Sequence, residues 1–316
     1  MSIETKLLTA VRNQRATLEK LLFDSMSKLA TACADVMHDR AALEDILAAG
    51  MAEAEYCKYL WVVDNNGKQL VDDATTTGFK RDQVGRDRIA RPYLQNALKG
   101  EDYYLSEAYI SRNRKRPSLT AVKTIYNSDG KVSGYLGADF DLRELPQTAE
   151  QYSDDNNWRQ IKGDPAIRSG VFAQQRTESA MDAQIDDILS LVNELILANG
   201  VFHAKLHFSS SRATFWLVDN PFVYQIVNMD ELSNPDLCLA FKHQAYFEKA
   251  IVEPEKIPLI FEQFKALRFA DETIYLRAAS LNVVNGMVGL NFSCDGSHYI
   301  PYEEFLEKSM DFWFGV

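Results

Sequence analysis

The sequence predicts an α+β protein with two antiparallel sheets, the first preceded by one long helix. Three observations carry that prediction. Apolar residues near the N-terminus recur at three- and four-residue steps, which is the helical period. Two stretches, 59–141 and 201–294, alternate short apolar runs with turn clusters, the mark of strands joined by tight connections. A polar, weakly patterned stretch, 147–176, lies between them.

The first helix carries apolar residues at 7, 8, 11, 18, 21, 22, 26, 29, 33, 36 and 37. At 1.5 Å per residue it runs on the order of 45 Å. That is longer than one small sheet needs, so part of its stripe is expected to meet a second copy in a homodimer. His38, Asp39 and Arg40 interrupt the stripe, and AALEDILAAGMAEAE gives a second helix to about residue 55. Residues 59–64 read as a strand, Asn65, Asn66 and Gly67 as a turn, and 68–71 as its return, a hairpin. Residues 86–99 read as helical, with Pro92 near a first turn because an interior proline would break the ladder. Strands at 103–111, 117–126 and 132–141 bring the sheet to five. Alternation along 103–111 puts Tyr103 and Tyr109 on one face with Leu105, and Tyr104 on the other. The expected organisation is a helical segment at 1–55, a sheet domain at 56–146, a linker at 147–176 in which Trp158 is the docking residue, and a second α+β domain at 177–316.

That second domain opens with a helix over 179–198, whose stripe of Met181, Ile185, Ile188, Leu189, Val192, Leu195 and Ile196 stops at Asn199 and Gly200. Strands at 201–208, 212–218 and 222–227 form a meander. A helix-rich connection follows to about 267, then a hairpin of 273–284 with 287–294 around Asn285 and Gly286. Glu303 and Glu304 start a last helix, where carboxylates suit the helix dipole.

Composition excludes several function classes. The 316 residues carry a net charge of −11, which disfavours nucleic acid because a phosphate backbone needs a basic footprint. The loop with Arg112, Arg114, Lys115 and Arg116 is read as solvated. No apolar run approaches the roughly 18 residues of a membrane span, and MSIETKLLTAVRNQR is too charged for a secretion signal, so a cytoplasmic location is expected. Cys33, Cys57, Cys238 and Cys294 are scattered, which fits reduced thiols without metal. No glycine-rich phosphate loop, GxSxG or HExxH is present, and no cofactor is expected.

The candidate site lies in 85–142, where GRDRIARPYL, YYLSEAYIS and GYLGADFDL follow one another. Arg86, Arg88 and Arg91 stand beside the aromatic Tyr93, which sets a cation suited to a carboxylate or phosphate next to an apolar wall. Asp139 and Asp141, two apart on one strand, share a face, with Ala138 and Phe140 on the other. A carboxylate near a core must be paired or carry a desolvation cost, so something positive should face Asp139. The charge-balanced GRDR reads instead as structural, with Arg86 and Arg88 in salt bridges.

Long helix, hairpin, helices and three more strands is the order of a PAS-like sheet. Arg-Pro-Tyr at 91–93, LSEAYIS at 105–111 and Asp139 on the closing strand resemble the Cache, or PDC, sensor family over roughly residues 1–150. Its members are mostly ligand-binding parts of bacterial chemoreceptors, kinases and diguanylate cyclases. In amino-acid-binding members the arginine holds the ligand carboxylate, while tyrosine and aspartates hold its amine; that carries over to Arg91, Tyr93, Tyr109 and Asp139. Two positions depart from the pattern. Leu94 replaces the second aromatic, and Ser111 stands where the first amine-binding aspartate would be, so the carboxylate end is better kept than the amine end. A hydroxy acid, a dicarboxylate or a purine-like ligand stays open beside an amino acid. The resemblance implies a sensor of a carboxylate-bearing metabolite in bacterial signalling, without catalysis; the C-terminal domain, which the resemblance does not cover, is expected to act as an interaction or output module for a protein partner. Two alternatives stand beside it: a hydrolase or transferase using Asp271, Asp295 and His298, and a scaffold with a vestigial pocket.

Other polar groups read as structural. His203 and His207, four apart on a strand, stand roughly 13 Å from each other, too far for one metal ion. They are assigned to the solvent face of a strand whose other face is Phe202, Ala204, Leu206 and Phe208. Ser209, Ser210, Ser211 and Arg212 fit a phosphate site, through hydroxyls and backbone amides, and a hairpin turn equally well, whereas Cys294 with His298 is assigned to a turn.

Overall fold

The computed structural model describes residues 6–111, 116–147, 175–294 and 296–314. The chain is α+β, and it divides into two units, residues 9–150 and residues 1–8 with 151–316.

Helix α1 (Lys6–Ala34) keeps the expected period, burying Val11, Leu18, Leu22, Met26, Leu29 and Cys33. It stops where the stripe is interrupted, because Asp39 caps α2 (Arg40–Glu53) by accepting the N–H groups of Ala41 and Ala42. Gly50 in α2 costs helix propensity but admits a close neighbour: a β-carbon there would lie 2.4 Å from a Leu29 methyl. The strands are β1 (Cys57–Asp64), β2 (Asp73–Thr75) and β3 (Gly78–Lys80), then α3 (Pro92–Ala97), β4 (Tyr103–Leu105), β5 (Tyr109–Ile110), β6 (Pro117–Tyr126) and β7 (Val132–Asp141). They pair antiparallel in the order β3-β2-β1-β7-β6-β4, with β5 also on β6.

The sheet therefore has seven strands among the described residues where the pattern indicates five. The return at 68–71 makes a single bridge to β1, Gln69 with Val63, and another from Lys68 to Asp87, before the chain moves on to β2 and β3. Residues 103–111 split at Ser106 to Ala108, and the split changes the faces. Tyr103 meets Phe23 of α1 edge-on at 5.3 Å, whereas Tyr109 joins Tyr104 on the opposite side. The strand break overrides the alternation that would have kept Tyr109 with Tyr103. The helix expected over 86–99 is also shorter. Residues 85 and 86 are held by Gln69 backbone bonds, and α3 begins only at Pro92, with Arg91 extended as residues before proline tend to be.

The second unit places α4 (Ile185–Ala198) before β8 (Val201–His207), β9 (Arg212–Leu217) and β10 (Asn220–Val227). Then come α5 (Met229–Leu232), α6 (Ile257–Phe269), β11 (Leu276–Asn282), β12 (Met287–Phe292), β13 (Ser297–Pro301), α7 (Tyr302–Glu307) and α8 (Met310–Phe314). Its sheet runs β10-β9-β8-β11-β12-β13, antiparallel throughout. The core is made by Ala204, Leu206, Phe215, Leu281 and Leu290 of the sheet with Ile188, Val192, Leu195, Ile260 and Phe264 of α4 and α6.

His203 and His207 are half-buried, which corrects their assignment to a solvent face. His203 stacks on Trp216, ring centroids 4.5 Å apart, and His207 Nε2 pairs with Thr214 Oγ1 at 3.2 Å. Burial, helped by the Lys205 charge, pushes both imidazoles down to about 4. Phe202, placed on the buried face by alternation, is also only half-buried. Ser209 and Ser211 sit in a short 3-10 turn, where Ser209 accepts a bond from Arg268 and Ser211 one from the Met181 N–H. His298 lies on β13, packed edge-on against Phe292 and Trp313. Asp271 turns its carboxylate onto Thr273 and Ile274 of its own loop. Asp295, Trp158 and the basic residues 112, 114 and 115 lie outside the described residues.

Candidate ligand cavity

The face of the first sheet that carries α3 holds a cavity of about 420 Å³. Strand register explains its floor. Tyr59 of β1, Asp139 of β7 and Thr120 of β6 are direct cross-strand neighbours, so their side chains stand side by side on one face. Two residues along, Trp61 faces Gly137 in the same register. A β-carbon at Gly137 would lie 2.0 Å from the indole, so the second glycine of GYLGADFDL is what lets Trp61 lie across β7. The ring then packs on Tyr93 at 5.6 Å, and Tyr93 on Tyr109 at 6.0 Å, an aromatic wall between helix and sheet.

All five residues selected from sequence, Arg91, Tyr93, Tyr109, Ser111 and Asp139, line this one cavity. Asp141 lines it too, on the same face as Asp139, and accepts the Arg143 N–H while Arg116 stands 3.9 Å away. Arg88 makes the salt bridge expected of GRDR. It binds Asp73 at 2.7 Å, with both side chains buried, and it also donates to Gln69 and to the Tyr93 hydroxyl. Its guanidinium lies 4.3 Å over the Trp61 ring, a cation–π contact. Arg88 is thus both structural and part of the cavity wall. Arg86 bonds the neutral Gln83 side chain at 3.0 Å. Sequence reasoning missed Gln69, Asp73, Trp61 and Thr120; the unusual signal was a tryptophan inside YLWVVD matched by a glycine in the partner strand.

The polar groups are wired with a definite direction. Thr120 donates to Asp139 Oδ1 at 2.7 Å, so its single proton is used and Tyr109 must donate to Thr120 at 2.8 Å. That leaves Tyr109 oxygen lone pairs and Asp139 Oδ2 as acceptors, and the Tyr93 proton as a donor because its oxygen already accepts from Arg88. Burial raises the Asp139 carboxyl, and the Arg88 charge and the Thr120 bond only partly offset it. Trp61 also helps hold it down, although the indole N–H reaches no partner at ordinary bonding geometry. Burial and the nearby Asp139 raise both Tyr93 and Tyr109. Both keep their protons at neutral pH and serve as hydrogen-bonding groups rather than bases.

Arg91 occupies the N-cap of α3, and its side chain makes no hydrogen bond or ion pair among the described residues. The arrangement therefore has an enclosed acceptor cluster around Asp139 and a guanidinium available at the start of α3. Among the described residues no cluster of His, Cys, Asp or Glu could hold a metal ion, and no helix is long and apolar enough to cross a membrane. Cys57 is buried, with its thiol pushed up by burial and turned to the Tyr59 carbonyl.

No family model and no curated protein matches this chain. Among solved structures, it is similar to the sensory domain of a Campylobacter jejuni chemoreceptor with isoleucine bound, at 23% identity and TM-score 0.34, over 43% of this chain and 55% of that one. It is similar to the ligand-binding domain of the Pseudomonas fluorescens chemoreceptor CtaA in complex with L-serine, at 18% and 0.33, over 43% and 56%. An extracellular ligand-binding receptor from Desulfohalobium retbaense matches at 15% and 0.33, over 45% and 26%. These neighbours are ligand-binding sensor or receptor proteins, and the chain spans at most about half the length of the first of them.

Proposed function

We propose that the first unit is a small-molecule sensor whose cavity takes a carboxylate-bearing metabolite, an amino acid being the ligand that best fits both ends. The observation that carries this reading is the state of Asp139. It is a carboxylate enclosed in the cavity floor with one hydroxyl donor, while the guanidinium beside it is committed to Asp73. A half-buried carboxylate so poorly supplied carries a desolvation cost. An ammonium seated between Asp139 and the Tyr109 oxygen would relieve that cost, and the same ligand's carboxylate would engage Arg91. Ser111 contributes a neutral contact where a second carboxylate would have strengthened the amine end.

The proposed role is signalling rather than catalysis, in a bacterial cytoplasmic protein. Ligand closure over the cavity would bias α1 between two positions relative to a second copy, which requires different ligand affinity in the two states. Leu21 and Phe23 of α1 remain partly exposed for that contact, and the second unit would be the output module for a protein partner.

The test is a thermal-shift screen of amino acids, organic acids, polyamines and nucleobases, with each hit repeated on Arg91→Ala and Asp139→Asn. At ~100 times its dissociation constant a ligand adds about 2.7 kcal/mol, enough to move the midpoint by several degrees. The shift should vanish in either variant. A hit that survives in both places its site elsewhere, and a null screen on folded protein favours a scaffold with an unused cavity.

A further inference from the structure

The charges around the cavity go further than a simple zwitterion requires. In a chain of net charge −11, this wall is lined by five cations, Lys58, Lys80, Arg86, Arg88 and Arg91, against the carboxylates of Asp73, Asp139 and Asp141. Arg88 is consumed by Asp73, Lys58 pairs with Glu144, and Asp141 faces Arg116. What remains among the described residues is Asp139 against three cations, and a neutral amino acid would satisfy only Asp139 and Arg91.

Of the two cations left over, Lys80 stands on β3. Lys80 Nζ lies 5.6 Å above the Tyr59 ring, and Tyr59 is the cross-strand neighbour of Asp139. The ammonium is therefore one side chain away from the floor carboxylate, within reach of the far end of a short ligand. Arg86 lines the same wall, in the loop whose backbone is tied to Gln69, and its side chain donates to the neutral amide of Gln83. Among the described residues no carboxylate stands within ion-pair distance of either.

We propose that Lys80 and Arg86 form a second anion subsite, so that the preferred ligand carries a further carboxylate or phosphate beyond the one held by Arg91. This rests on the sensor reading above and narrows it to an acidic amino acid or a phosphorylated amine.

Calorimetric titration of the full chain would compare L-glutamate with L-glutamine, L-aspartate with L-asparagine, and O-phospho-L-serine with L-serine. One additional partly desolvated ion pair corresponds to about tenfold in affinity, so in each series the better-fitting acid should bind about tenfold tighter than its neutral counterpart. In Lys80→Met and Arg86→Gln that ratio should fall toward one. The pair with the largest ratio tells carboxylate from phosphate. Equal binding of acids and neutral counterparts in the unaltered protein, or a ratio that survives in both variants, overturns the subsite. Neutral amino acids that bind through Asp139 without any preference for acids would leave the sensor reading standing and remove only this inference. Failure of all six ligands to bind removes this inference together with the amino-acid form of the sensor reading.

Discussion

Each unit buries an arginine–aspartate pair, and the two are finished differently. In the second unit Arg268 and Asp182 are both fully inaccessible. The guanidinium grips the carboxylate as a fork, at 2.9 and 2.7 Å, and its other donors reach Ser209, the Leu276 carbonyl and the Thr177 carbonyl. Tyr275 lies 5.0 Å beneath it. In the first unit Arg88 and Asp73 also pair at 2.7 Å and are almost as buried, but both line a cavity and stand beside Asp139, whose own supply of donors is short. The sealed pair fixes a fold: it ties the segment before α4 to α6. The open pair organises a vacancy, holding Tyr93 and Trp61 in place while leaving acceptors uncovered.

The largest expected effect comes from the sealed pair. Arg268→Met leaves the inaccessible Asp182 carboxylate with only the Ser179 N–H at 2.9 Å and Arg176 at 3.7 Å, and breaking a buried pair from one side costs about 3–5 kcal/mol. Urea unfolding of the full chain should show that loss, and hydrogen exchange should place it in residues 175–314. Adding Asp182→Asn should restore part of it, since the carboxylate that Arg176 alone compensates at 3.7 Å is then gone. Arg88→Met should cost less, about 2 kcal/mol, because Asp73 keeps its bond from Gln69 and cavity water can reach the carboxylates. Its exchange changes should fall in 57–141 and be accompanied by loss of ligand response. Equal costs for the two substitutions would mean that the cavity does not relieve its wall, and the contrast between the pairs would fail.

The same contrast explains what could be read in advance. The long helix, the antiparallel strands of both halves and the residues that share the cavity were legible, because hydrophobic period and turn residues are local signals. Arg91, Tyr93, Tyr109 and Asp139 could be selected together on their motif. What stayed hidden depends on pairing between distant strands. Thr120 is an ordinary strand threonine until register sets it opposite Asp139. Gly137 looks like any strand glycine until Trp61 is placed over it. Arg88 reads as a turn charge until backbone bonds from Gln69 fold its loop back onto the sheet. The half-burial of His203 likewise follows from Trp216 on the neighbouring strand, which no count along β8 alone could supply.

The smallest effect separates the units by the sign of their response to acid. Asp139 is raised above its ordinary 3.8, chiefly by burial. The folded state then holds the proton more tightly than the unfolded chain, so this contribution is present at low pH and is lost as pH rises through the folded value. His203 and His207 are lowered from 6.5 to about 4, again chiefly by burial. There the unfolded chain binds protons first, so stability is full above 6.5 and declines as pH falls toward 4. Asp72, Glu253 and Asp271, all held below their ordinary values, act mostly below this window. Above about pH 4 the two sites thus begin to pull in opposite directions. Since both imidazoles keep some contact with solvent, their combined contribution is only about 1 kcal/mol. Hydrogen exchange at pH 4.5 and 7 should show acid loss of protection in 201–292, flattened in His203→Phe with His207→Gln. Asp139→Asn should be favoured relative to the unaltered chain more at pH 7 than at pH 4.5. A saturating ammonium ligand should flatten the Asp139 slope, because a cation beside the carboxylate stabilises its charged form, while leaving the histidine slope in place. If ligand flattens both slopes or neither, Asp139 does not meet the ligand's charge.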